Sequence, residues 1–155
     1  MNTLELRDIT YNDVLNNISI KIKKGSNISI IGSSDCGKTC LNNILKYKLK
    51  FKGSYLINGV EISNTNKYLV DRYVNNVENK YDNKKIIDIL FDAYEDLEEE
   101  KKELEINKVL KYFTLNKYAK YKINDLTLEY KYYFLIIMEL LKKDTYLVID
   151  DYCVS

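Results

Sequence analysis

Proline, histidine and tryptophan are absent from the 155 residues, and glutamine is missing as well. A mechanism that needs an imidazole or a glutamine amide therefore cannot be completed by this chain alone. The bias toward asparagine, lysine, isoleucine and tyrosine, with 15 tyrosines, is that of an AT-rich genome. Cysteine is scarce too. Cys36, Cys40 and Cys153 form no C-x-x-C pair and no metal-ligand spacing. An odd number of cysteines suits a reducing compartment, so free thiols are expected. No apolar run approaches the ~20 residues of a membrane-spanning helix. The opening Leu4-Glu5-Leu6-Arg7 carries no signal-peptide pattern, so a cytoplasmic location is expected. Charge is nearly balanced, with 24 basic residues against 23 acidic and a net of +1. Bulk attraction to nucleic acid or anionic lipid is excluded on that ground, and no nucleic-acid partner is expected.

What is present suits one folded domain over 1–155, since 46% hydrophobic residues suffice for a single core. Ile18 to Ile22 alternate with period two. After the Lys23-Lys24-Gly25-Ser26 turn, Ile28-Ser29-Ile30-Ile31 reads as a second strand, more buried than the first. Leu41, Ile44, Leu45 and Leu49 then fall at helical spacing, and Gly53 to Gly59 reads as a strand closing in an Asn-Gly turn. A helical region runs from about 84 to 142. It contains a stripe from Lys84 to Leu97, the charged run Glu98 to Glu103 as a solvated face, a helix carrying Leu104 to Phe113, and another from about Leu128 to Leu141. Thr145 to Ile149 is an apolar strand ending in Asp150-Asp151. Strands alternating with helices predict an α/β fold with a mainly parallel sheet.

Gly32-Ser33-Ser34-Asp35-Cys36-Gly37-Lys38-Thr39 matches G-x-x-x-x-G-K-[ST] between a strand and an amphipathic helix, followed by Cys40. Glycines let the backbone curl so that successive amides converge on phosphate oxygens, and the helix N-terminus adds partial positive charge. Lys38 is placed to neutralise β and γ phosphates, and the Thr39 hydroxyl to ligate Mg²⁺. The plainer reading is a glycine-containing turn with an accidental lysine. The apolar strand ending in Asp150 fits a Walker B element, whose aspartate orients Mg²⁺, and Asp151 stands where a catalytic base belongs. Taken alone, that strand end could equally be only polar.

Walker A and Walker B, with three further features in order, make the whole chain resemble the nucleotide-binding domain of an ATP-binding cassette (ABC) transporter. Leu4 to Tyr11 and Val14 to Ser19 resemble the family's opening, where an aromatic residue stacks on adenine. Tyr11 is the candidate, against the plainer reading of a strand-end tyrosine. Gly53 to Ile62 resembles the hairpin after the P-loop helix, and Arg72 to Asn76 lies where the Q-loop strand ends. The metal-sensing glutamine of that loop is replaced here by Asn76 or Asn75. Leu126-Thr127-Leu128-Glu129-Tyr130 falls on the L-S-G-G-Q signature without a gap from Asp150. In the family this element binds the γ-phosphate held by the opposite subunit, and a carboxylate at Glu129 repels it. The segment is equally readable as a helix start capped by Asp125 or Thr127. The acidic stretch from Phe91 to Leu110, followed by Tyr112 to Leu115, resembles the energy-coupling-factor branch.

The resemblance implies a P-loop NTPase fold with an N-terminal antiparallel part and a helical insertion. It implies Mg-ATP as cofactor, a second nucleotide-binding subunit, and a transmembrane permease that holds the protein on the inner face of the membrane. The family's later strands and its histidine are not in these residues. A fragment or a degenerate product is expected, with ATP hydrolysis confined to a complete dimer. Two alternatives stay open: a non-catalytic nucleotide-binding partner subunit, and a soluble ABC protein outside transport.

Overall fold

The computed structural model describes residues 3–142 and 144–149. They divide into two compact units, one formed by the chain up to 76 and from 142 onward, the other by 77–141.

The first unit is built on a four-stranded antiparallel sheet in the order β2-β1-β3-β4. Its strands are β1 (Thr3–Tyr11), β2 (Leu15–Lys23), β3 (Lys52–Ile57) and β4 (Val60–Glu61). Asn58 and Gly59 join the last two with φ of 54° and 82°, the doubly positive backbone that Asn-Gly adopts in a tight hairpin. β1 is irregular: Asp8 has φ 52°, and the pairing slips between Leu6 and Ile9 on one side and between Arg7 and Thr10 on the other. Gly53 answers this bulge. A Cβ there would lie 2.5 Å from the Arg7 carbonyl oxygen, so only glycine lets β3 pass so close.

Helix α1 (Lys38–Leu45) turns Leu41, Ile44 and Leu45 into a core shared with Leu4, Leu6, Ile9, Tyr55 and Ile57. The buried Tyr55 hydroxyl donates to the Leu45 carbonyl at 3.0 Å, satisfying a carbonyl at the helix end. The helix stops before Leu49 because Tyr47 takes a left-handed backbone, φ 54°. A short helix α2 (Tyr68–Tyr73) leads into β5 (Val74–Asn76), which pairs in parallel with β6 (Tyr146–Val148).

The expected buried strand at Ile28 to Ile31 is not found. Among the described residues this segment pairs with no strand, and Ile31 is 93% exposed, with Ile28 and Ile30 about half exposed. A β-branched alternation sets a local preference for extended backbone, but burial requires neighbouring strands, and among the described residues none flanks this segment.

The second unit is helical, with α3 (Ile86–Ala93), α4 (Glu99–Tyr112) and α5 (Leu128–Leu140). Ile86, Ile89 and Leu90 of α3, Ile106 and Leu110 of α4, and Phe134 and Ile137 of α5 are its buried apolar residues. No side chain caps α3. Its first amides are satisfied by the loop before α5, Ile86 N–H donating to Tyr121 O and Ile87 N–H to Ala119 O. The acidic run stays solvated on α4, its carboxylates forming exposed i,i+3 pairs such as Glu98 with Lys101. No helix among the described residues is long and apolar enough to cross a membrane.

Candidate functional site

The loop from Gly32 to Gly37 delivers the chain into the N-terminus of α1, whose first residue is Lys38. Asp35 and Gly37 take positive φ, 61° and 97°, which curls the loop before the helix begins. Gly37 is the constrained one of the two, since its φ disfavours any side chain, whereas at Gly32 an added Cβ would meet only the rotatable Cys36 side chain. A Cβ on Gly37 would lie 2.7 Å from Leu15 Cδ2 and 3.0 Å from Val14 Cγ1, so the turn between β1 and β2 seats the loop. A Cβ on Gly32 would strike the Cys36 sulfur, which folds back over the loop.

Lys38 reaches into the curl. Its ammonium donates to the carbonyl oxygens of Gly32 and Ser33, both at 2.7 Å, and stands 3.7 Å from Cys36 Sγ. The first turn of α1 carries no acidic residue, so nothing on it offsets the positive helix end. Gly32 to Cys36 and Thr39 are exposed, and Cys40 is half-buried. The motif is therefore assembled and open to solvent.

Tyr11 is the last residue of β1 and the ladder partner of Leu15, the residue whose side chain meets Gly37. Its ring is half-buried against the core of the first unit, so part of it serves packing. Asn76 ends β5 opposite Val148 of β6, the strand that leads into Asp150. The Asn76 Oδ1 is buried without a hydrogen-bond partner among the described residues, as is Asn75 Nδ2. An orphaned amide oxygen and an exposed hydroxyl such as that of Thr39 are each hard donors of the kind Mg²⁺ accepts. Asp150, Asp151 and Cys153 lie outside the described residues. Among the described residues no three histidine, cysteine or carboxylate groups cluster as a metal site.

In the second unit Thr127 occupies the N-cap of α5 but its side chain makes no capping bond. The Glu129 carboxylate is held below its ordinary range by the residue's own backbone amide and then by the Thr127 hydroxyl. A carboxylate thus stands in the first turn of the helix where a phosphate would approach. Sequence placed Glu129 as a source of repulsion; its engagement of Thr127 depends on local geometry that composition does not carry.

The family model for ABC transporters matches residues 15–154, nearly the whole chain. The chain belongs to the ABC transporter family. Parts of this ABC chain are similar to curated relatives. An energy-coupling factor transporter ATP-binding protein, EcfA1, of Mycoplasmopsis synoviae is 38% identical over 65 residues, 41% of this chain and 24% of that protein. A spermidine/putrescine import ATP-binding protein, PotA, of Ureaplasma parvum is 39% identical over 67 residues, 39% of this chain and 13% of that protein. Mouse ATP-binding cassette sub-family B member 5 is 34% identical over 71 residues, 41% of this chain and 6% of that protein. The matches thus span under a quarter of each of these relatives. Among solved structures, CbiO1 of Clostridium perfringens, described as part of the ABC transporter complex CbiONQ, superposes with a TM-score of 0.74. The match covers 95% of this chain and 64% of that one at 21% identity. The ABC ATPase fold is shown by that likeness, and the α/β expectation holds.

Proposed function

We propose that this ABC chain is the ATP-binding part of a transport system, taking Mg-ATP on the loop Gly32 to Thr39. The observation that carries the proposal is the Lys38 ammonium held inside a glycine-bounded curl at the start of α1. Two carbonyl oxygens already gather at that ammonium, so a phosphate has only to replace them as its partners. The helix amides and Lys38 would bind the phosphates, with Tyr11 packing at the base. Thr39, Asn76 and Asp150 would hold Mg²⁺, which when bound neutralises phosphate charge and orients the γ-phosphate. Asp151 would act as the base, one methylene shorter than the family's glutamate. A base set back by about 1 Å costs on the order of a hundredfold in rate, so turnover would be slow.

A second nucleotide-binding subunit and a membrane permease complete the proposal, and through the permease the protein would sit at the inner membrane face. EcfA1 and CbiO1, by their descriptions, are components of transporters, which supports this reading. A specific observation favours a second one, the non-catalytic partner. Glu129 stands in the first turn of α5, so the half-site this chain would offer a neighbour presents a carboxylate where the family's signature presents glycine amides.

Measuring ATP binding and phosphate release, with and without a candidate permease, separates the two. Binding with release that appears only in the assembled transporter supports the ATPase. Binding without release when an intact homologue supplies all turnover supports the silent partner. Absence of saturable binding contradicts both.

A further inference from the structure

We propose that the segment Lys48 to Lys52, between α1 and β3, is a contact surface for an anionic lipid bilayer. The net charge of +1 hides an uneven distribution: residues 1–76 carry 11 basic side chains against 6 acidic, whereas 77–141 carry 11 against 14. The excess is concentrated further. Between Asp35 and Glu61 there are five lysines and no carboxylate. Lys38 belongs to the phosphate loop, and Lys46 stands at the C-cap of α1, where its charge suits the negative end of the helix. Lys48, Lys50 and Lys52 have no such duty. All three are exposed, and among the described residues none is paired with a carboxylate.

The alternation that exposes them is fixed by packing. Tyr47, Leu49 and Phe51 pack against the core of the first unit. The Tyr47 and Phe51 rings meet edge to face at 6.0 Å, and the Lys48 amide donates to the Asn43 carbonyl at 2.8 Å. With every second residue anchored, the lysines are held outward along a line, and their charges are assembled before any partner arrives. That arrangement selects the occupant. Ammoniums strung along a chain do not converge on one point, so a single phosphate is not gripped, whereas a plane of negative charge meets all three at once. A nucleic acid strand needs free aromatic faces for its bases, and Tyr47 and Phe51 pack theirs against the core and each other. Lysine, a compact point charge, attracts anionic headgroups without demanding a fixed geometry. The choice of a membrane rests on the transport reading above, which brings the chain to a membrane face.

The test is co-sedimentation of the 155-residue chain, without nucleotide or permease, with vesicles of mixed phosphatidylglycerol and phosphatidylcholine or of phosphatidylcholine alone. Binding is expected to the anionic vesicles only, and should fall with added salt. Lys48→Gln, Lys50→Gln and Lys52→Gln combined should weaken it at least about tenfold, since each lysine near an anionic surface contributes severalfold. Lys80→Gln, Lys120→Gln and Lys122→Gln combined, which remove as many exposed lysines from the second unit, should leave it unchanged, with circular dichroism kept in both variants. No binding to the anionic vesicles overturns the proposal, as do equal binding to phosphatidylcholine alone and equal losses in the two variants. So does tighter binding to a single-stranded oligonucleotide or to polyglutamate that the first variant abolishes. ATP affinity measured alongside separates the failures. Vesicle binding without ATP binding contradicts the transport reading alone, and ATP binding without vesicle binding contradicts this surface alone.

Discussion

The Lys38 ammonium and the Gly32 carbonyl oxygen lie 2.7 Å apart, a hydrogen bond that spans the phosphate loop from its first residue to the start of α1. Lys38 thus closes the curl on itself, with Ser33 O as a second acceptor at the same distance. The groups that hold the lysine are backbone, so their position is set by the fold of the loop.

That fold depends on Gly37. Its φ of 97° costs an ordinary residue roughly 1–2 kcal/mol, and a methyl group would also press on Leu15 and Val14. Gly37→Ala is expected to destabilise the protein by about 2 kcal/mol or more and to weaken ATP binding with it. Chemical denaturation checks this, and an unchanged midpoint would show that the turn between β1 and β2 yields freely.

Glu5 makes stability depend on pH. It is buried in β1 between Lys21 and Arg7, at 2.7 Å from each, and hydrogen bonds from Lys21 and then Arg7 bring its pKa down from 4.5 to about 2. A depressed carboxylate contributes stability that is fully present above its unfolded value. That contribution is lost as pH falls from about 4.5 through about 2. The wild type should therefore lose stability over this window more steeply than Glu5→Gln, in thermal unfolding followed at each pH. Parallel profiles would remove Glu5 from the account.

Much of this was legible before any coordinates. The spacing of Gly32, Gly37, Lys38 and Thr39 specifies a local backbone, and Asn58-Gly59 specifies a turn, so both appear where the sequence puts them. The helix from Leu128 likewise follows from local periodicity. Ile28 to Ile31 failed because burial is decided by distant strands. Glu5 was missed because the chain states are local: nothing near it in sequence announces that Lys21 of the neighbouring strand will stand opposite. The family's Q-loop drew attention to Asn76 or Asn75, but that the Asn76 oxygen would be left without a partner was not legible in the sequence.

Cys36 offers a chemical probe of the loop. Its thiol is exposed, lies over Gly32 and stands 3.7 Å from the Lys38 ammonium, whereas Cys40 is half-buried in α1. Iodoacetamide should label Cys36 faster than Cys40 or Cys153, and Mg-ATP should protect it, as read by mass-spectrometric mapping. Labelling that ATP leaves unchanged would place the nucleotide elsewhere.

The central claim is that this loop binds nucleotide through Lys38, and calorimetric titration with Mg-ATP of the wild type and Lys38→Ala tests it most directly. No other cation lies within the motif, so the account predicts saturable wild-type binding that the substitution weakens at least about tenfold in a protein that stays folded. Equal affinity in the two proteins would contradict it.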